Sequence, residues 1–197
     1  MPGQQLPPAN SQNIQFILND IILEDATAIP ADELQKLWQE KLHKNISLAD
    51  LYTITNDITR KYAESGYALS FAIVPEQKIN NGIVRIRVIE GFVDKIAFVH
   101  DATTEKNLHL FDSTKTESAL APLLGKITQS RPLRTDDLER YLLLANQYPG
   151  ATAKATFLAS DTTPNASTMV VQVTYKPIDA SLTTDNRLAR SLEHWSA

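Results

Sequence analysis

The chain has 197 residues, a formal net charge of −4 and no cysteine. That length holds one medium domain or two small ones, and the charge supplies no field that favours nucleic acid or an anionic membrane surface. The absent cysteines exclude disulfides and thiolate metal sites.

Residues 1–13, rich in Pro, Gln, Asn and Ser, read as a flexible lead with little to bury. Ile14 to Leu23 then reads as a strand, with a bend or bulge at Asn19-Asp20. A helix is expected from Pro30, with Leu34, Leu37, Trp38 and Leu42 on one face and Asn45 at its end. Ser47 reads as the N-cap of the next helix, with Asp50 placed to complete a capping box. Its stripe runs through Leu48, Leu51, Tyr52, Thr55, Ile58 and Tyr62, and Gly66 sits where a left-handed residue ends a helix. Two strands follow, Ala68–Pro75 and Ile83–Glu90, joined through Asn80-Asn81-Gly82 as an antiparallel hairpin. On the second strand Val84, Ile86 and Val88 alternate with Arg85, Arg87 and Ile89.

The order strand–helix–helix–strand–strand recurs after about 80 residues. Val93–Val99 reads as a strand and Thr116–Lys126 as a helix carrying Leu120, Leu123 and Leu124. Thr135 reads as the N-cap of a helix with Leu138, Tyr141, Leu142 and Ala145, which Tyr148-Pro149-Gly150 breaks. Ala151–Ala159 and Thr168–Tyr175 form the second hairpin, and Pro177 closes the unit. The fold class is therefore α+β, in two units of residues 14–91 and 92–178, each with two helices on a three-stranded sheet. Residues 179–190 are the start of a further connection, and residues 191–197 read as a vector-derived tail.

No catalytic, cofactor or metal site is expected. His43, His100, His109 and His194 form no pair at i, i+4 spacing, and the phosphate-loop and nucleophile-elbow patterns are absent. Asp136, Asp137 and Glu139 suit the first turn of a helix, where the backbone dipole favours negative charge. The chain reads as a binding module.

Leu18-Asn19-Asp20-Ile21-Ile22-Leu23-Glu24, Ile46 to Leu51, and Ile58 to Tyr62 leading to Gly66-Tyr67 resemble the first POTRA domain of two-partner secretion transporters. The most specific stretch is Pro75-Glu76-Gln77, then Gly82 to Val88, then Glu90-Gly91. Residues 92–178 resemble the second POTRA domain. The resemblance implies tandem β-α-α-β-β units on the periplasmic side of the outer membrane, ahead of a 16-stranded β-barrel. It implies a partner too: the N-terminal secretion domain of one large exoprotein, such as an adhesin, haemolysin or contact-dependent inhibition toxin. Related alternatives are a barrel-assembly factor and a POTRA-like cell-division scaffold. Recognition is expected by β-augmentation, in which an extended guest pairs with an exposed sheet edge. The resemblance implies that the edge is the first strand of each hairpin; in the first unit that is Ala68–Pro75, with Leu69, Phe71 and Ile73 toward the helices and Ser70, Ala72 and Val74 toward the guest. Arg85 and Arg87, on the outer face of the neighbouring strand, are expected to hold polar side chains of the guest.

Overall fold

The computed structural model describes residues 5–100, 113–148 and 151–175. In chain order the first unit comprises β1 (Gln15–Ile17), β2 (Asp20–Glu24), α1 (Ala31–Gln35), β3 (Asn45–Ser47), α2 (Leu48–Glu64), β4 (Phe71–Ile73) and β5 (Ile83–Ile89). The second comprises β6 (Phe92–His100), α3 (Ser113–Leu124), α4 (Thr135–Asn146), β7 (Ala151–Ala159) and β8 (Ala166–Tyr175). Both units have one topology. The central strand, β5 or β8, is parallel to β2 or β6 on one side and antiparallel to β4 or β7 on the other. The repeat read from the sequence is a repeat of sheet order.

Helix α2 shows how local sequence builds the first core. The Ser47 side chain accepts from the Asp50 N–H while the Asp50 carboxylate accepts from the Ser47 N–H, so two orphan amides of the first turn are satisfied. Helical spacing then aligns Leu51, Ile54, Ile58 and Tyr62, all fully buried. They meet Val84, Ile86 and Val88 from alternate positions of β5. Each such side chain contributes about 1.5–3 kcal/mol on leaving water. In the second unit, Leu120 and Leu124 from α3 and Ala145 from α4 close on Met169, Val171 and Val173 of β8.

Five sequence expectations change. The helix expected over Pro30–Asn45 is only five residues long, followed by a single tight turn at Gln39–Lys41. The backbone at residues 43–44 is claimed by Leu18, which accepts from the His43 N–H and donates to the Lys44 carbonyl. That exchange also splits the first strand, sending β1 to β3 and β2 to β5. Leu34 and Trp38 are nevertheless buried as their spacing demands. Thr135 is not an N-cap by its side chain; it opens α4 from within, behind Arg134. The strand expected over Ala68–Pro75 shortens to Phe71–Ile73. The lead is tied down over its described part. Ser11 is buried and its carbonyl accepts from the Ala49 N–H. The break at Pro149-Gly150, the end at Pro177 and everything after it lie outside the described residues.

The two units are joined without a linker, since β5 runs through Glu90-Gly91 into β6. The segment before α4 returns to this joint. The Leu133 N–H donates to the Gly91 carbonyl at 2.9 Å, and the Thr135 N–H and hydroxyl both donate to the Gly66 carbonyl at 2.8 and 3.1 Å. Leu69 packs against the second core, and the Arg131 guanidinium lies 4.3 Å over the Phe92 ring. A Cβ on Gly91 would sit 2.4 Å from the Leu69 carbonyl oxygen, so only glycine permits this approach.

Candidate partner-binding edges

The antiparallel register places Ala72 opposite Val88. Directly opposed residues share a face, so Ala72 lies on the core side of the sheet, fully buried, and Ser70 is buried with it. This reverses the expectation for β4. Ser70 and Ala72 do not face outward, Val74 packs partly against the core, and Phe71 and Ile73 take the other face. Three polar-or-small residues among apolar ones suggested the wrong parity, because the alternation itself carries no sign.

Nor is the β4 edge open. On an antiparallel edge, alternate N–H groups point away from the partner strand. Here these belong to Ser70, Ala72 and Val74. The Ser70 N–H donates to the Tyr67 carbonyl, the Ala72 N–H to the Thr59 hydroxyl at 2.9 Å, and the Val74 N–H to the Gln5 side-chain oxygen at 2.9 Å. A guest strand would find every donor engaged.

Pro75 cannot donate to β5, and the ladder needs a partner for Arg85. Gln77 provides it. Its carboxamide oxygen accepts from the Arg85 N–H at 2.8 Å, and its amide donates to the Arg85 carbonyl at 2.7 Å. The side chain imitates the missing peptide group, which gives a physical reason for the Pro-x-Gln pattern. Glu90, the other motif residue, accepts from the Thr27 N–H and hydroxyl, the Ala28 N–H and the Tyr62 hydroxyl. Burial raises its pKa, but these donors more than reverse that, and the carboxyl titrates below the ordinary glutamate range.

Arg85 and Arg87 do stand on the outer face of β5. Arg87 is held by Glu24 through two nitrogens, at 3.0 and 3.2 Å, with Asp25 at 3.7 Å; Arg85 lies 3.7 Å from Glu24. Their charges are already answered by acidic side chains of the chain itself.

The corresponding edge of the second unit differs. β7 has nine residues where β4 has three. Its outward main-chain groups belong to Ala153, Ala155, Phe157 and Ala159, because the intervening residues bond to β8 and Ser160 donates to Ala166. Those of Ala153 are taken by Asn146, whose carboxamide accepts from its N–H at 2.8 Å and donates to its carbonyl at 3.1 Å. Among the described residues, no protein group bonds to the outward N–H of Ala155, Phe157 or Ala159. The end of this edge opens into a groove of about 670 Å³ between the units, walled by Leu69, Phe71 and Ile89 on one side and Phe157, Leu158 and Pro164 on the other. Leu158 is 57% exposed. The resemblance points to the first strand of each hairpin as an edge and does not tell the two apart; the nine residues of β7 against the three of β4 separate them.

Among the described residues, no group of three or more His, Asp or Glu side chains is placed to hold a metal ion, and no helix is long and apolar enough to cross a membrane.

These edges belong to a known kind of module. Residues 16–91 match the POTRA domain, ShlB-type, and the second unit repeats the same strand order, so the chain has the fold of tandem POTRA domains. In sequence it is 25% identical over 179 residues to the heme/hemopexin transporter protein HuxB of Haemophilus influenzae, covering 89% of this chain and 30% of that protein. It is 26% identical over 88 residues to the outer membrane transporter CdiB of Escherichia coli, covering 45% of this chain and 15% of that one. In structure, CdiB from Escherichia coli superposes with a TM-score of 0.63 at 20% identity, over 89% of this chain and 30% of that one. The N-terminal domain of Omp85 from Thermosynechococcus elongatus gives 0.60 at 12% identity, over 82% of this chain and 67% of that one. The chain thus spans less than a third of the length of these curated transporters.

Proposed function

We propose that this chain is the periplasmic substrate-capturing region of an outer-membrane two-partner secretion transporter. It binds the N-terminal secretion domain of a large exoprotein and presents it to a β-barrel that follows the second POTRA domain. The guest binds as an added strand on β7. The observation that carries this reading is the contrast between the two equivalent edges: β4 has its outward donors occupied, while β7 offers Ala155, Phe157 and Ala159 at strand spacing. Main-chain pairing gives affinity largely independent of guest sequence, as an unfolded client requires. The sequence kinship to the heme/hemopexin transporter protein HuxB and the outer membrane transporter CdiB supports a transport role at the outer membrane, and the fold match to CdiB supports the tandem arrangement of the two units. Arg85 and Arg87 have a secondary part at most, since a guest must displace Glu24 to reach Arg87.

A proline on the open edge tests this. The Ala155 N–H points away from β8, so Ala155→Pro removes a guest-facing donor and leaves the β7–β8 ladder intact. The folded variant is expected to lose at least tenfold in affinity for the secretion domain from the neighbouring exoprotein gene, measured by calorimetry. Unchanged affinity contradicts β7 pairing. Ala72→Pro is the wrong variant for this purpose, because it breaks the buried bond to Thr59 and injures the fold.

A further inference from the structure

Two side-chain carboxamides in this molecule each bind both main-chain groups of one strand residue. Gln77 does so at Arg85, where a proline prevents backbone pairing. Asn146 does so at Ala153, where nothing prevents it: β7 continues past Ala153 on both sides, and the outward groups there are of the same kind as those of Ala155. Gln77 therefore completes a ladder, whereas Asn146 occupies one. We infer that Asn146 is a register stop on the β7 edge, which ends the guest ladder at Ala155 and so fixes how the guest is aligned and how many of its residues pair. This inference rests on the proposed pairing of a guest with β7.

The geometry supports a stop rather than a general anchor. A guest strand that reached Ala153 would need the same N–H and carbonyl that Asn146 holds, so the two are mutually exclusive. Asn146 is itself exposed, at the last position of α4, with one further bond from its amide to the Leu142 carbonyl at 2.9 Å. At the opposite end of the edge, β7 finishes at Ala159 and the Ser160 N–H turns back to Ala166. Between the two limits lie three residues whose main-chain groups point outward, Ala155, Phe157 and Ala159. The site accordingly selects an extended segment of about five residues, set by the strand repeat. A stop of this kind suits a transporter, because a short ladder can be released and re-formed as the client moves, while a ladder running the full strand would hold it.

The probe is a soluble synthetic peptide, Lys-Thr-Val-Thr-Val-Thr-Val-Lys with both ends capped, titrated into the full chain while backbone amides are followed by NMR. In the native chain the amides of Ala155, Phe157 and Ala159 are expected to respond and that of Ala153 to stay in its Asn146 bond. In Asn146→Ala, Ala153 should join the responding set and affinity should rise about threefold to tenfold, the value of one or two added bonds. If Ala153 responds in the native chain as strongly as Ala155, Asn146 is no stop, and the β7 reading survives alone. If no β7 amide responds, pairing on β7 is itself contradicted, and the stop falls with it. Should Asn146→Ala fail to fold, as its amide spectrum would show, the native titration still decides between these outcomes.

Discussion

At the residue scale the motif side chains act as substitutes for backbone. Gln77 stands in for the peptide that Pro75 cannot supply, so Gln77→Ala strands both main-chain groups of Arg85. It is expected to lower stability by about 1–2 kcal/mol, read as a shift in urea midpoint. Glu90 gathers donors from Thr27, Ala28 and Tyr62 and titrates below its ordinary range when folded. Because the folded-state pKa lies below the unfolded one, its contribution is complete above the ordinary glutamate range and is lost as pH falls through the folded value. Between pH 7 and pH 3 the native chain should therefore lose more stability than Glu90→Gln; parallel urea-midpoint profiles would contradict this role. The Pro-x-Gln and Glu-Gly pairs were legible as patterns, but their partners were not. The bond from Gln77 to Arg85 spans a hairpin, and that from Glu90 to Thr27 spans most of the first unit.

At the element scale, local signals succeeded where the backbone was self-sufficient. The Ser47–Asp50 box and the stripe ending at Tyr62 specify α2 without help from distant residues. The expected helix after Pro30 failed because Leu18 claims the backbone of residues 43–44, a tertiary contact that no periodicity announces. The facing of β4 failed for a related reason. Alternation identifies two faces, and only the pairing of Ala72 with Val88 tells which is buried. The Thr59 hydroxyl, which accepts from the Ala72 N–H, closes the edge at that position. Thr59→Val keeps shape and removes the acceptor, leaving the buried Ala72 N–H without a partner. A loss of about 1–3 kcal/mol is expected on chemical denaturation, and a neutral result would mean that the edge is sealed by other means.

On the scale of the whole molecule, the repeat was readable from element order, although the second unit shares little sequence with the first. What the sequence could not show is that the units are docked as well as consecutive. Gly66 and Gly91, which look like ordinary helix and strand terminators, present their carbonyls to Thr135 and Leu133 across the joint. That docking sets β7 beside Leu69 and Phe71 and creates the groove at the end of the open edge. The candidate site is thus a product of the tandem arrangement, and the residues first expected to form it, Ser70, Ala72 and Val74, serve the fold instead.

The absence of native cysteine allows the central claim to be tested by single-site crosslinking. Thr156→Cys lies exposed on β7, and Ile73→Cys lies on β4. Each is mixed with a secretion domain carrying one cysteine in an extended segment, and disulfide formation is followed under mild oxidation. Capture on β7 predicts rapid, position-dependent crosslinking from residue 156 and little from residue 73. Preferential crosslinking from residue 73 would place the guest on the edge that Thr59 and Gln5 close, and would contradict the account.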